Sequence, residues 1–133
     1  PATAELGFAA LGKDTIHSFA VGNDALFIMD QSDRTGNIDA NGAGLVFSSG
    51  WKFGKQSVVD GTATSSVTTA GDSGMTGDVT VVWSDNFHTA TVTIDGSLVN
   101  QNSDDLVITL VGVQGATDST TVADLFGLAQ ATA

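Results

Sequence analysis

The run from Asp78 to Val113 constrains the fold more than any other part of the chain. Asp78 to Ser84, Thr89 to Asp95 and Asp105 to Val111 are dense in β-branched residues and contain no proline. That composition suits a pleated surface better than a helix. In the middle run Ala90, Val92 and Ile94 alternate with Thr89, Thr91 and Thr93. One face can therefore pack on a core while the other meets water through hydroxyls. Asp85 to His88 is short enough to return the chain as a hairpin, and Asp95-Gly96 opens a longer polar connection to the third run. With Leu106, Ile108 and Leu110 on one side and Val107, Val111 and Val113 mostly on the other, the third strand is expected to be central and buried on both faces.

The remaining segments carry weaker signals. Ala2 to Leu11 is small and apolar and fits a short helix or an extended strand equally. Thr15 to Phe19 reads as a strand with Ile16 and Ser18 on one side and Thr15, His17 and Phe19 on the other. After a turn at Val21 to Asp24, Ala25 to Asp30 reads as a short apolar strand suited to the middle of a sheet, and the two strands are expected to form one unit. Gln31 to Gly44 is a polar, glycine-bearing loop, and Gly44 to Ser48 is a further strand. Trp51 and Phe53 continue the core across a turn at Ser49-Gly50. Thr62 to Gly77 is a Thr, Ser, Gly and Ala tract, read as an exposed strand or a loop. Near the carboxyl end, Thr121-x-x-Asp124 before Leu125, Phe126 and Leu128 has the spacing of a capping pair and predicts one short helical turn. No internal repeat is evident.

At 133 residues the chain suffices for one domain, residues 1–133, with a core that needs no metal or crosslink to exist. The absence of cysteine removes disulfide, thiolate-metal and cysteine-nucleophile chemistry together. Four basic residues against fifteen acidic ones, a formal charge of −11, exclude nucleic acid and anionic membrane as natural partners. Phosphate recognition needs a basic patch that Lys13, Arg34, Lys52 and Lys55 do not supply. Divalent cations are better suited to this charge. No apolar run approaches the roughly 20 residues of a membrane span, so no membrane insertion is expected. A first residue of Pro points to a processed protein or an excised piece.

Two acidic clusters have cation-binding chemistry. Asp30, Asp33, Asn37, Asp39 and Asn41 bring hard oxygen donors together among Gly36, Gly42 and Gly44, as calcium requires, although their order does not match an EF-hand loop. The alternative is a solvated loop in which Asp and Asn serve the turns. The second cluster, Asp95, Asn100, Asn102, Asp104 and Asp105, carries the same chemistry, and Asp104 and Asp105 also suit a polar strand entry. The two imidazoles, His17 and His88, lie in no catalytic motif and read as strand and hairpin residues. No spacing among the carboxylates singles out an acid and a nucleophile for glycoside hydrolysis. Trp51, Phe53 and Trp83 serve either a core or a sugar-stacking surface.

The segment Gly12-Lys-Asp14-Thr-Ile-His-Ser-Phe19-Ala-Val-Gly22-Asn-Asp24, leading into Ala-Leu-Phe-Ile, resembles the segment that closes the β-roll in RTX-type proteins exported by type I secretion. Asp104-Asp105-Leu-Val-Ile-Thr-Leu-Val-Gly112-Val, then Val122-Ala-Asp124-Leu-Phe126, is similar to the last strand and terminal acidic-aromatic motif of the carboxyl-terminal domains of those proteins. The resemblance covers both ends and not the middle. Ser18 stands where that group usually has Asp, and the calcium-carrying nonapeptide repeats are missing. The resemblance implies an extracellular or cell-surface protein exported by type I secretion, or the terminal module of one.

Together these readings predict an all-β domain, a β-sandwich or short β-roll of about eight to ten strands with a short C-terminal helix. The function expected is that of an extracellular, non-enzymatic structural protein, calcium-stabilised and self-assembling as a surface-layer or fibre subunit. Its partners would be copies of itself, met through strand edges that few Lys or Pro residues protect. The alternatives are a C-terminal secretion and folding module of a larger exported enzyme, or a small carbohydrate-binding module that meets a surface glycan through Trp51 or Trp83.

Overall fold

The computed structural model describes residues 4–6, 13–28, 48–59, 61–69, 76–99 and 105–128. The chain is all-β. Its strands are β1 (Ala4–Leu6), β2 (Lys13–His17), β3 (Leu26–Ile28), β4 (Trp51–Phe53), β5 (Ser57–Val59), β6 (Thr62–Thr69), β7 (Thr76–Ser84), β8 (Thr89–Ile94) and β9 (Leu106–Val111). Turns of 3-10 helix lie at Ser48–Gly50, Gly96–Val99 and Ala123–Phe126.

The larger sheet has the order β2-β9-β8-β7-β6-β4, with β5 also on β6. β6 to β9 form an antiparallel meander, and β2 joins β9 in parallel, Lys13 opposite Val107 and His17 opposite Val111. A smaller parallel pair joins β1 to β3. The alternation read in β8 holds, with Ala90, Val92 and Ile94 buried and the threonines half-buried between them. Its neighbours obey the same period: Val79 and Val81 in β7, and Leu106, Ile108 and Leu110 in β9, are buried on the same face. Against this face lie Leu26 and Ile28 of β3, Phe19, Leu98, Val113, Val122, and Ala123, Leu125 and Phe126 of the terminal turn. Each large side chain fully buried there contributes about 1.5–3 kcal/mol.

The terminal turn is held by the pair its spacing predicted. Thr121 N–H donates to Asp124 Oδ2 at 2.9 Å, and Asp124 N–H donates to Thr121 Oγ1 at 3.2 Å. Gln56 then ties this segment to the sheet: its Nε2 donates to the Thr120 carbonyl at 3.3 Å and its Oε1 accepts the Val122 N–H at 2.6 Å. Phe126 closes an aromatic cluster with Trp51 and Phe53, at centroid separations of 5.5 and 5.1 Å.

Four expectations require correction. β2 and β3 are not one unit: β2 pairs with β9 and β3 with β1, so β3 lies outside the larger sheet. Phe19 is buried while Thr15 and His17 are exposed, because Ser18 takes a φ of 62° and breaks the two-residue alternation just past the strand. Thr62 to Thr69 is a strand rather than a loop, and an interior one, since β6 pairs with β7 on one side and with β4 and β5 on the other. β9 is interior as expected but buried on one face only: Val107, Thr109 and Val111 are half-buried on the other. Gly44 to Phe47 lies outside the described residues.

Candidate interaction surface

The face of the sheet turned away from the core carries an ordered set of side chains. Because strand register aligns them, the rows follow from the pairing alone. Thr15, Thr109, Thr91, Val82 and Thr62 form one row across β2, β9, β8, β7 and β6. Val107, Thr93, Thr80 and Thr64 form the next. His17, Val111, Thr89 and Ser84 form a third. Val82 is 47% exposed, the one large hydrophobic residue among those described to be so open. Thr64 and Thr80 share a hydroxyl hydrogen bond of 3.2 Å across β6 and β7, in which either oxygen can donate.

No carboxylate falls in these rows. Acidic positions gather at the margin: extending the register one step past Thr80, Thr93 and Val107 reaches Asp78, Asp95 and Asp105. The Asp95 N–H donates to the Asp78 carbonyl at 3.0 Å, which continues the β7–β8 ladder to that point. Asp95 Oδ1 accepts the Ser97 N–H at 2.9 Å and the Ser97 hydroxyl at 2.8 Å, fixing the start of the Gly96–Val99 turn. Asp105 Oδ1 accepts the Gly96 N–H at 3.3 Å. Asp78 was not among the residues singled out from sequence; only the antiparallel register brings it beside Asp95.

The cation clusters are only partly placed. Asp30, Asp33, Asn37, Asp39 and Asn41 lie outside the described residues, as do Asn100, Asn102 and Asp104. Among the described residues no group of three or more His, Asp or Glu side chains is arranged to hold a metal ion. Asp24, in the Gly22-x-Asp24 turn, is engaged locally: its Oδ2 accepts the Ala20 N–H at 2.9 Å, while Oδ1 is buried without a partner.

His17 is exposed in β2, and His88 closes the β7–β8 hairpin, its Nδ1 2.8 Å from the Asp85 carbonyl oxygen. The turn between them runs through Asp85, Asn86 and Phe87 at φ of 53°, 54° and 65°. Trp51 and Phe53 are buried, so neither offers a sugar-stacking surface. Trp83 is half-buried against Phe87, centroids 5.4 Å apart and planes at 58°. Among the described residues no helix is long and apolar enough to cross a membrane. Comparison with protein-family models, curated proteins and solved structures finds no match for the chain.

Proposed function

We propose that the chain is an extracellular, non-enzymatic structural module that associates with copies of itself, with calcium offsetting its negative charge. The observation that carries this reading is the larger sheet, whose outer face holds rows without a carboxylate and whose end strand among the described residues is β2. Ser18 N–H donates to the Val111 carbonyl at 2.8 Å, so the two-residue alternation of a parallel ladder turns the amides of Thr15 and His17 away from β9. Such an end strand is a template for strand addition. The net charge of −11 opposes close approach of two copies, and a divalent cation at the acidic loops relieves that repulsion.

Light scattering of chelator-treated protein, before and after millimolar calcium, tests the reading. Particle mass is expected to rise with protein concentration and to rise further with calcium. A mass fixed at that of one chain under both conditions overturns it.

A second reading, a carbohydrate-binding module, draws on the Trp83–Phe87 pair. The 58° tilt of the rings leaves one indole face rather than a flat platform as the stacking surface. A shift of tryptophan emission on adding soluble glycans, abolished in Trp83→Ala, would favour this reading over self-association.

A further inference from the structure

We infer that the contact between copies is made by the threonine and valine rows of the outer sheet face, packed against the same face of a second copy. The inference rests on the self-association proposed above and replaces the strand edge by the face as the surface that carries it.

A contact between identical copies related by a two-fold axis sets one patch against itself. A patch charged with one sign cannot satisfy that condition, because like charges then meet. A threonine hydroxyl both donates and accepts, so a threonine surface can complete the hydrogen bonds of its own copy. The Thr64–Thr80 bond, in which either oxygen can donate, displays this pairing within one face. Each threonine also presents a methyl group, and Val82, Val107 and Val111 add apolar surface in the same rows.

The distribution of charge selects the same occupant. In a chain of net charge −11 the three rows hold no acidic residue, while Asp78, Asp95 and Asp105 stand at the margin. A basic partner would find no carboxylate in the centre to pair with, whereas a second copy meets no like carboxylate there. No Trp, Tyr or Phe lies in the rows, which removes the usual means of holding a sugar.

The area agrees with an association of modest strength. Five strands at about 4.8 Å and three rows at about 6.7 Å make a field of about 24 by 20 Å. Two such fields bury about 1,000 Å², the lower bound for a specific interface. The copies therefore exchange with monomer as concentration changes.

The test is sedimentation velocity over a concentration series, on the full chain and on two variants, with amide hydrogen exchange of the wild-type chain at the two ends of the series. Thr91→Lys with Thr109→Lys places two charges at the centre of the field, and Val82→Lys places one at its most open residue. Strand addition protects the Thr15 and His17 amides, which face away from β9, whereas contact through the face leaves them exchanging as in the monomer. The wild-type chain is expected to associate with those two amides unprotected. Both lysine variants are expected to weaken association by about tenfold or more with circular dichroism unchanged. Val82→Lys decides the matter should the double variant unfold. Association that survives in Val82→Lys, with the Thr15 and His17 amides protected, overturns the face and keeps the reading. A wild-type chain that stays monomeric at every concentration, with and without calcium, overturns both.

Discussion

Gly77 sits where β7 passes the Gly96–Val99 turn, and its lack of a side chain is a packing requirement. A methyl group there would come within 2.9 Å of Asp95 Cβ and 3.0 Å of Leu98 Cγ, the latter on a fully buried side chain. Gly77→Ala is accordingly expected to destabilise the protein by about 1–3 kcal/mol, read as a lower midpoint in urea. Trp51 shows the opposite tension. Its ring fills the cluster with Phe53 and Phe126, yet its Nε1–H is buried with no acceptor. An unpaired buried donor costs about 1–3 kcal/mol, so Trp51→Phe trades a small loss of volume for relief of that cost. Its stability should fall within about 1 kcal/mol of wild type, whereas Trp51→Ala should lose about 3–5 kcal/mol. Equal losses in the two variants would show that the donor carries no penalty.

The β7–β8 hairpin illustrates how one element balances strain against packing. Asp and Asn accept the left-handed region readily, but Phe87 at φ 65° does not, and such a residue costs about 1–3 kcal/mol. Its contact with Trp83 offsets that cost. A urea double-mutant cycle of Trp83→Ala and Phe87→Asn should return a coupling of about 0.5–1.5 kcal/mol, and additive losses would refute the contact. The Gln56 clasp is a second element-scale device: Gln56→Ala forfeits both bonds to the 120–122 backbone, about 1–3 kcal/mol. Hydrogen exchange should then quicken at Val122 to Phe126 ahead of β8. Legibility from sequence also divides by element. β7, β8, β9 and the terminal turn could be read because alternation, turn residues and the Thr121/Asp124 spacing are local signals. β6 could be read only as strand or loop, because Ala63, Ser65 and Val67 make its buried face too small and polar to contrast with the threonines opposite. Ser18 hid the change of phase that buries Phe19. The outer rows escaped for a different reason: their order lies across strands, in register, and no linear spacing encodes which threonine neighbours which.

At the scale of the whole molecule, charge and sheet face act against each other. Raising salt from about 0.1 to 1 M shortens the screening length from about 10 to about 3 Å, which weakens repulsion between chains of −11 while leaving neutral contacts intact. Association measured by light scattering should therefore strengthen with salt; a decline would place ion pairs at the contact instead. The pairing of β2 with β9 has a further consequence, in the order of assembly. The meander from β6 to β9 joins neighbours in sequence and closes small loops, but β2 must wait for a partner near the opposite end of the chain. A polypeptide emerging amino end first thus holds an incomplete sheet until Val111 is free, and the strand made early is placed late.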